Sequence, residues 1–276
     1  MMTTKVAFIG GGHMATAIIE GLLAADRPAS DILVCAPSTA TRQRLSDRYQ
    51  VTTSARNGDA VAFAQVIIVA VKPQLVAQVC AELAAVGLAD HTVISIAAGV
   101  QHQQLGQWLG DDRHVVCAMP NLPTAMQQGM TGLYCSAATA AASRQLAEQL
   151  FGAIGEAIWL SDECDMAAVV AAAGSAPAYF FRFMEAMTKA AVQQGLSEQQ
   201  AARCVRQSAI GAVAMASEPQ VDLAQLREQV TSPNGSTAAA LDAFNAMDMD
   251  QVVAMAMAAA AARTRQLGQG ADAGAG

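Results

Sequence analysis

The sequence predicts an α/β N-terminal domain built on a doubly wound, mainly parallel sheet, followed by an all-α domain. Short apolar segments alternate with helical patterns through the first half of the chain, which is the rhythm of βαβ units. One of these segments, residues 65–71, is apolar almost throughout, as expected for a strand that is buried on both faces. From about Trp159 onward only helical patterns remain.

The individual elements follow from apolar runs and from helix start and stop signals. The predicted strands cover residues 5–9, 31–35, 65–71, 92–96, 114–117 and 132–135, with helical stretches between most of them. Pro177 is predicted to open a helix that ends at Gly195, and Ser197 starts the next one through a capping box with Gln200. A shorter helix is expected at residues 221–230, and at least two more within residues 238–266.

The change in pattern also predicts the domain boundaries. Residues 1–160 are expected to form the first domain and residues 161–267 the second, because a chain of 276 residues is long for one domain. The Gly/Ala-rich end, residues 268–276, is expected to be a disordered tail.

Composition excludes several classes of function. The net charge is −7 and no basic stripe is present, so no nucleic-acid partner is expected. The chain starts without a secretory signal, and its longest apolar stretch, residues 252–262, is too short to span a membrane. The six cysteines are scattered without C-x-x-C, and no histidine pair has metal-ligand spacing. We therefore expect a cytoplasmic protein with reduced cysteines in its core and no metal site.

A glycine-rich turn follows the first predicted strand. The segment Gly10-Gly11-Gly12-His13-Met14-Ala15 fits the G-x-G-x-x-A fingerprint and opens a helix. Gly10 would make the tight turn, Gly12 would let a pyrophosphate approach the backbone, and Ala15 would allow close helix packing. The alternative is a plain turn between strand and helix. The position of the segment favours a Rossmann dinucleotide site, with His13 as a filler beside the backbone rather than an acid.

The end of the second strand favours NADPH, with weaker use of NADH possible. An NAD-preferring site carries Asp or Glu about 20 residues past the fingerprint. Here Pro37, Ser38 and Thr39 follow the strand, and Arg42 and Arg44 come next. Hydroxyls and a nearby guanidinium suit a 2′-phosphate. The alternative is a solvated helix start with ordinary surface arginines.

Two further strand ends are expected to face the cofactor, because ligands bind at the carboxyl ends of parallel strands. Ala70-Val71-Lys72-Pro73 ends the third predicted strand, and Ile96-Ala97-Ala98 ends the fourth. Lys72 is either a charge near the nicotinamide or an ordinary lysine at a strand end.

A polar loop at residues 230–237 is the clearest candidate for a substrate site. Its sequence, Val-Thr-Ser-Pro-Asn-Gly-Ser-Thr, combines hydroxyls with turn residues just before an alanine-rich helix. Free N–H groups and the helix dipole at such a helix start can hold a small anion. The alternative is a capped turn between two helices, with Thr237 capping a helix that begins at Ala238.

These motifs together resemble the pyrroline-5-carboxylate reductase family over residues 6 to about 265. The resemblance is carried by the fingerprint, by Ala-Val-Lys-Pro at 70–73, Ser-Ile-Ala-Ala-Gly-Val at 95–100, Met-Pro-Asn-Leu-Pro at 119–123, Gly-Ser-Ala-Pro-Ala-Tyr at 174–179 and the loop of residues 230–237. The chain departs from the family pattern at Asn234, where glycine is usual, at Ser236, where threonine is usual, and around Ala172, Ala173 and Ala176.

The resemblance implies a Rossmann domain for NADP(H), a helical dimerisation domain and reduction of pyrroline-5-carboxylate to proline in a homodimer or higher homo-oligomer. It also implies an active site between the cofactor of one subunit and the helices of the other. Carried over by position, the cofactor contacts would be Ile9, Gly10, Gly11, Gly12, His13, Met14, Pro37, Asn57, Ala70, Val71, Lys72, Pro73, Ile96, Ala97 and Ala98. Glu163, Ser236 and Thr237 would bind substrate, with Thr237 at the imine nitrogen. Asn57 and Glu163 rest on the resemblance alone.

Two other functions fit part of the pattern. A β-hydroxyacid dehydrogenase shares the two-domain plan, but it needs a catalytic lysine on the first long helix of the second domain. Lys189 is the only lysine in the second half, and it lies late in its helix. A non-catalytic NADPH sensor would have a damaged substrate loop, whereas this loop is largely intact.

Overall fold

The computed structural model describes residues 4–111, 114–217 and 222–272. The chain packs into two compact units, one of Met1–Ser175 with Ala259–Gly276 and one of Ala176–Ala258. The boundary at 160/161, expected from the sequence, stays a prediction about functional domains. The last residues of the predicted tail, 273–276, lie outside the described residues.

The first unit alternates strands and helices as the sequence predicts. Its strands are β1 (Val6–Ile9), β2 (Ile32–Cys35), β3 (Thr52–Ser54), β4 (Val66–Val69), β5 (Thr92–Ser95), β6 (Val115–Met119), β7 (Gly129–Tyr134) and β8 (Gly155–Trp159). Its helices are α1 (His13–Ala24), α2 (Thr39–Tyr49), α3 (Asp59–Phe63), α4 (Val76–Val86), α5 (His102–Leu109), α6 (Ala141–Gly152) and α7 (Met166–Val169). A π-helical turn, Val170–Gly174, follows α7.

The strands form one eight-stranded sheet in the order β3-β2-β1-β4-β5-β6-β7-β8. Every pairing is parallel except that of β6 with β7. The order reverses between β1 and β4, which both lie at the centre, so their carboxyl ends meet at the switch point where dinucleotides bind. The predicted mainly parallel, doubly wound sheet is confirmed.

Apolar side chains on both faces of the sheet build the core. All residues of β1, β2, β4 and β5 are buried, which explains why their sequences show no alternation. One cluster packs α1 and α6 against one face around Phe8 and Phe151, and the other packs α4 and α5 around Ile67 and Leu83. The end of β1, which leads into the glycine turn, therefore lies between two packed apolar clusters.

The second unit is helical. It contains α8 (Ala176–Gln193), α9 (Glu198–Ala216), α10 (Leu223–Gln229), α11 (Ser236–Ala246) and the start of α12 (Met249–Asp272). The capping box before α9 is present, because Ser197 Oγ accepts from Gln200 N at 3.3 Å and Gln200 Oε1 accepts from Ser197 N at 3.0 Å. Val221, where a helix was expected to begin, lies outside the described residues, and α10 begins at Leu223.

This helical unit has almost no core of its own. Of its described residues, only Ala201 and Val205 are buried. Large apolar side chains instead face outward, among them Phe180, Phe181 and Ile210, with Phe181 exposed to 67%. Patches of this extent on a protein surface mark an interface with another molecule.

One long apolar helical stretch crosses the junction of the two units. Among the described residues, Glu163–Gln193 has the length and composition that could cross a membrane. It is longer than the continuous apolar run of residues 252–262, because it includes scattered polar residues. Within this stretch, Glu185 pairs with Lys189 at 2.6 Å and lies 3.7 Å from Arg182.

Candidate cofactor and substrate sites

The glycine turn has the geometry of a dinucleotide cradle. Gly10 has φ +106°, and a Cβ there would lie 2.5 Å from Ala70 O, so only glycine fits between β1 and β4. A Cβ on Gly11 would meet Leu45 and Thr41 of α2 below 3.0 Å. Gly12 differs, because a Cβ there would find no atom within 4 Å. The turn is closed toward the sheet and open above Gly12, as a bound pyrophosphate requires.

Helix α1 begins directly after this opening. Gly12 is its N-cap and has no side-chain cap, and the first intrahelical bond is that of Thr16 N to Gly12 O at 2.9 Å. The N–H groups of the first turn, at His13, Met14 and Ala15, therefore remain available to an anion. The His13 side chain is exposed. The residues present fit a dinucleotide.

The other two predicted strand ends lie on neighbouring strands. β4 pairs with both β1 and β5, so Ala70 and Ile96 follow adjacent strand ends. Ala70 N donates to Ile9 O at 2.8 Å, and Ile96 N donates to Val69 O at 3.1 Å. Gly99, at φ +81°, turns the chain toward α5. These bonds bring residues 9–14, 70–73 and 96–98 together at the carboxyl ends of the central strands.

Lys72 is exposed beside these strand ends. It precedes the short helical turn Pro73–Leu75, and its ammonium has no hydrogen-bond partner among the described residues. The choice between a charge near the nicotinamide and an ordinary strand-end lysine stays open on this geometry.

A cleft of about 870 Å³ opens beside the glycine turn. Five of the predicted cofactor residues line it, namely Ile9, Gly10, Pro37, Asn57 and Val71. The rest of its wall comes from the end of β2, from the segment after β3, and from α4 with the turn before it, and it consists of Cys35, Ala55, Arg56, Gly58, Asp59, Leu75, Gln78, Val79, Glu82, Ala85 and Val86. The remaining predicted cofactor residues do not line this cleft. The cleft includes the carboxyl ends of β1 and β2, and dinucleotides bind at the carboxyl ends of the strands in this fold.

The loop after β2 holds its arginines differently from the expectation. Ser38 is the N-cap of α2, with its Oγ accepting from Thr41 N at 3.3 Å. Arg42 Nη1 donates to Ala36 O and to Pro37 O, both at 2.7 Å, and its Nη2 donates to Thr39 Oγ1 at 3.0 Å. Arg42 is thus committed to the backbone of its own loop, which it stabilises.

Arg44 also donates to a backbone carbonyl, since its Nη2 lies 3.0 Å from Gly11 O. This bond ties α2 to the glycine turn. Neither Arg42 nor Arg44 lines the cleft. In this structure, both arginines expected near the 2′-phosphate bond to backbone oxygens.

Asn57 and the residues around it form a polar wall of the cleft. Asn57 Nδ2 donates to Glu82 Oε2 at 2.7 Å, and Gln78 Nε2 donates to Glu82 Oε1 at 2.9 Å. Ser54 Oγ donates to Asp59 Oδ2 at 2.5 Å. This hydrogen bond and the neighbouring Arg56 guanidinium hold the pKa of Asp59 below its usual value. Asn57 is expected from the resemblance alone, whereas its neighbours in this wall carry no signal in the sequence, because β3 is too short and polar to be recognised.

Cys35 lies at the floor of the cleft, at the end of β2. Burial, with a smaller contribution from Asp59, raises the pKa of its thiol to about 12. The thiol is therefore neutral and adds no charge to the cleft. Four cysteines are buried as expected, whereas Cys164 and Cys204 are exposed and do not belong to a core.

Glu163, a candidate substrate residue, caps a helix. Its Oε1 accepts from the backbone N of His102, the first residue of α5, at 2.6 Å. The same oxygen lies 3.8 Å from the buried Cys117 Sγ. The segment after β8 is thereby tied to the helix that follows residues 96–98. His102 itself is buried.

The loop of residues 230–237 ends in a helix start that is earlier than expected. α11 begins at Ser236 with Gly235 as its N-cap, so Thr237 is the second helical residue and not the cap. Asn234 has φ +58°, a left-handed conformation that asparagine adopts readily, and it therefore serves where the family uses glycine. A Cβ on Gly235 would lie 2.4 Å from Ser232 Oγ.

The first turn of α11 presents unused donors. Ala239 N donates to Gly235 O at 3.1 Å, whereas the N–H groups of Ser236, Thr237 and Ala238 have no partner among the described residues. The Thr237 hydroxyl has none there either. Three N–H groups and one hydroxyl at a helix N-terminus can bind a carboxylate and one further polar atom.

Comparisons with known proteins address both units. A family model for pyrroline-5-carboxylate reductase dimerisation matches residues 163–267, and one for coenzyme F420-dependent NADP oxidoreductases matches residues 5–99. The chain is 43% identical over 253 residues to the pyrroline-5-carboxylate reductase of Pseudomonas aeruginosa, which covers 92% of this chain and 93% of that protein. Identity to the Escherichia coli enzyme is 34%, covering 87% and 89%.

Solved structures are similar over nearly the whole chain. A pyrroline-5-carboxylate reductase from Coxiella burnetii has a TM-score of 0.89 at 35% identity, covering 96% of this chain and 98% of that one. The Plasmodium falciparum pyrroline carboxylate reductase with NADP bound has a TM-score of 0.85 at 24% identity, covering 97% and 99%, and shares the fold.

Proposed function

This chain belongs to the pyrroline-5-carboxylate reductase family, and on that premise we propose that it reduces pyrroline-5-carboxylate to L-proline with NADPH. This reaction is the last step of proline biosynthesis. The observation that carries the proposal is the first turn of α11, where three N–H groups and the Thr237 hydroxyl have no partner among the described residues. The cradle at Gly10–Gly12 supports the cofactor.

The substrate has two groups that the start of α11 suits. Its carboxylate would accept from the N–H groups of Ser236 and Thr237, helped by the helix dipole. Its ring nitrogen would lie at the Thr237 hydroxyl. Because Gly235 is the N-cap and Thr237 is the second residue of the helix, the Thr237 hydroxyl does not cap the helix N-terminus. Glu163 remains a further candidate for substrate binding.

NADPH held in the cradle would supply the hydride. The cofactor would contact the glycine turn, the loop at Pro37 and Ser38, Asn57, and the strand ends at Ala70–Pro73 and Ile96–Ala98, with Lys72 as a cation beside the nicotinamide. The absence of a carboxylate between Ala36 and Arg42 favours NADPH over NADH. NADH would be used more weakly.

Protonation of the imine nitrogen is what makes the ring carbon electrophilic. We propose that the protein selects the protonated form, with the iminium N–H donating to Thr237 Oγ1. No histidine or pair of carboxylates lies in the loop of residues 230–237 to act as a dedicated acid. Most of the acceleration would come from holding hydride donor and acceptor together.

Association with a second copy is part of the proposal. The family includes a dimerisation domain, which matches residues 163–267. The helical unit has two buried residues among those described and exposes Phe180 and Phe181. A homodimer, or a higher homo-oligomer built from it, would bury this surface. We place the enzyme in the cytoplasm.

The dehydrogenase alternative lacks its catalytic group. Lys189 lies near the end of α8, is exposed, and pairs with Glu185 at 2.6 Å. An amine that is engaged at the surface is a poor candidate for catalysis. The unblocked donors at the start of α11 likewise speak against a non-catalytic NADPH sensor.

The test is a coupled measurement of binding and turnover. Purified protein is mixed with NADPH, and cofactor binding is recorded by fluorescence before pyrroline-5-carboxylate is added. We expect loss of nicotinamide absorbance and equimolar appearance of proline. Protein that binds NADPH but leaves it unoxidised with this substrate would overturn the proposed reaction.

A further inference from the structure

The segment between β3 and α3 places one guanidinium at the wall of the cofactor cleft. Arg56 is the only lysine or arginine among the described residues that line this cleft. Its side chain is 81% exposed, so solvent or a ligand can reach it. It precedes Asn57 in the sequence, and Pro37, the neighbour of Ser38, lines the same cleft.

One edge of this guanidinium is anchored and the other is free. Arg56 Nη2 donates to Asp59 Oδ1 at 2.5 Å and Nε lies 3.4 Å from Asp59 Oδ2, while Arg56 N donates to Ser54 Oγ at 3.0 Å. Nη1 has no partner among the described residues. The Asp59 carboxylate is itself fixed by Ser54 Oγ at 2.5 Å. The group is therefore oriented before any ligand binds, and it keeps donors for an anion.

The other nearby arginines are occupied. Arg42 makes three hydrogen bonds within its own loop, to Ala36 O, Pro37 O and Thr39 Oγ1. Arg44 donates to Gly11 O and does not line the cleft. Releasing Arg42 would leave two backbone carbonyls without their donor, whereas Arg56 can take a phosphate while keeping its bond to Asp59.

We infer that Arg56 is the residue that recognises the 2′-phosphate of NADPH and sets the preference over NADH. The inference rests on the proposed binding of the cofactor in this cleft. Arg42 acts as a scaffold that shapes the loop after β2. Ser38, capping α2, lies at the start of that helix, where its hydroxyl can join the phosphate contact.

The charges that face Arg56 decide how strong this contact is. The charge of Asp59 is paired with Arg56 and its carboxylate also accepts a hydrogen bond from Ser54 Oγ, while the carboxylate of Glu82 accepts hydrogen bonds from Asn57 and Gln78. Without Arg56, two carboxylates would face the phosphate with no cation beside them. Removal of the guanidinium should therefore weaken the binding of NADPH, because the two carboxylates would repel its 2′-phosphate. The binding of NADH, which has a neutral ribose hydroxyl at this position, should change little.

Equilibrium binding tests the inference without turnover. Dissociation constants of NADPH, NADH and the fragments 2′,5′-ADP and 5′-AMP are measured for wild type, Arg56→Gln, Arg56→Lys and Arg42→Gln. Arg48→Gln is the matched control, because Arg48 lies on α2, pairs with Glu20 at 3.0 Å and does not line the cleft. We expect Arg56→Gln to raise the dissociation constants of NADPH and 2′,5′-ADP about ten- to a hundred-fold. The dissociation constants of NADH and 5′-AMP should change by less than about two-fold. Arg56→Lys should retain part of the preference for NADPH over NADH.

Other outcomes separate the possible errors. Equal weakening of both cofactors by Arg56→Gln would mean that Arg56 only stabilises the turn, and this would overturn the inference. An unchanged NADPH constant in Arg56→Gln, with a selective loss in Arg42→Gln, would assign the phosphate to Arg42. Wild-type protein that binds neither cofactor would contradict the proposed function itself, which is a different result.

Discussion

The carboxylate of Glu163 accepts a hydrogen bond from the backbone N of His102 at 2.6 Å, although 61 residues separate the two. His102 is the first residue of α5, the helix that follows the strand end at Ile96–Ala98. Glu163 therefore connects a candidate substrate segment with a candidate nicotinamide segment. Glu163, which we propose for substrate binding, thus also accepts a hydrogen bond at the N-terminus of α5.

We predict that Glu163→Ala lowers the free energy of unfolding by about 1–2 kcal/mol, because α5 loses an acceptor and a negative charge at its N-terminus. Glu163→Gln, which keeps an oxygen acceptor, should lose less. Urea denaturation at fixed protein concentration measures both variants. Equal stability of wild type and Glu163→Ala would contradict the capping role, and an unchanged KM for the imine would contradict the substrate role.

Thr237→Val should be slow but well folded. The hydroxyl is not the cap of α11, so its loss should leave the melting temperature close to that of wild type. One hydrogen bond lost at the transition state is worth about 1–3 kcal/mol, or roughly ten- to a hundred-fold in turnover. NADPH binding should be unchanged, and Thr237→Ser should restore most of the rate. Turnover of Thr237→Val near the wild-type value would remove the proposed contact to the ring nitrogen.

Ser38→Asp should reverse part of the cofactor preference. Aspartate is also a good N-cap, so α2 keeps its acceptor for Thr41 N while a negative charge is added. Repulsion of the 2′-phosphate and loss of its contact should cost NADPH about 1.5–3 kcal/mol. Ser38→Asn, a neutral cap, is the control. Identical ratios of NADPH to NADH affinity in wild type and Ser38→Asp would show that the phosphate lies elsewhere.

The exposed aromatic side chains of α8 predict the state of association. Phe180 and Phe181 are 65% and 67% exposed in the single chain. Introducing Asp at both positions should dissociate the oligomer or abolish its folding, because charges would be buried at the interface. Analytical ultracentrifugation of the wild type should find no monomer at micromolar concentration. A fully active wild-type monomer would contradict this prediction.

Thiol reactivity provides a test of the fold that is independent of turnover. Burial raises the pKa of Cys35 and of Cys80 to about 12, and it raises the pKa of Cys117 well above its usual value. At pH 8 a thiol with this pKa is roughly one ten-thousandth thiolate, which is the reactive form. Titration with a disulfide reagent should therefore modify at most the two exposed cysteines in native protein. All six should react after denaturation, and rapid native reaction of a third would be inconsistent with the core.

The sheet could be predicted where its strands are buried. β1, β2 and β4 carry continuous apolar runs, since helices cover both of their faces, and β5 has the buried pair Val93 and Ile94 at its centre. β3, with the sequence Thr-Thr-Ser, lies at one edge and has no apolar run to detect. β8 forms the other edge and alternates in exposure, and its start at Gly155, with φ +148°, depends on close approach to Gly129.

Side-chain partners at the cleft could not be predicted in the same way. Arg42 and Arg44 follow β2 in sequence, but a guanidinium near a site can equally donate to backbone carbonyls, and both do. Arg56 follows β3, which has no apolar run in the sequence, so the position of Arg56 beside the cleft could not be predicted. The start of α11 was placed two residues late, because Gly235 rather than a hydroxyl residue is the N-cap.

The most direct test of the proposed reaction follows the hydride itself. NADPH carrying deuterium at the hydride-donating ring carbon is mixed with the protein and pyrroline-5-carboxylate, and the product is analysed by mass spectrometry. The proposed reaction predicts proline with one deuterium on the ring carbon that was the imine carbon, formed in equal amount to the NADPH consumed. Unlabelled proline, or consumption of NADPH without proline, would contradict it.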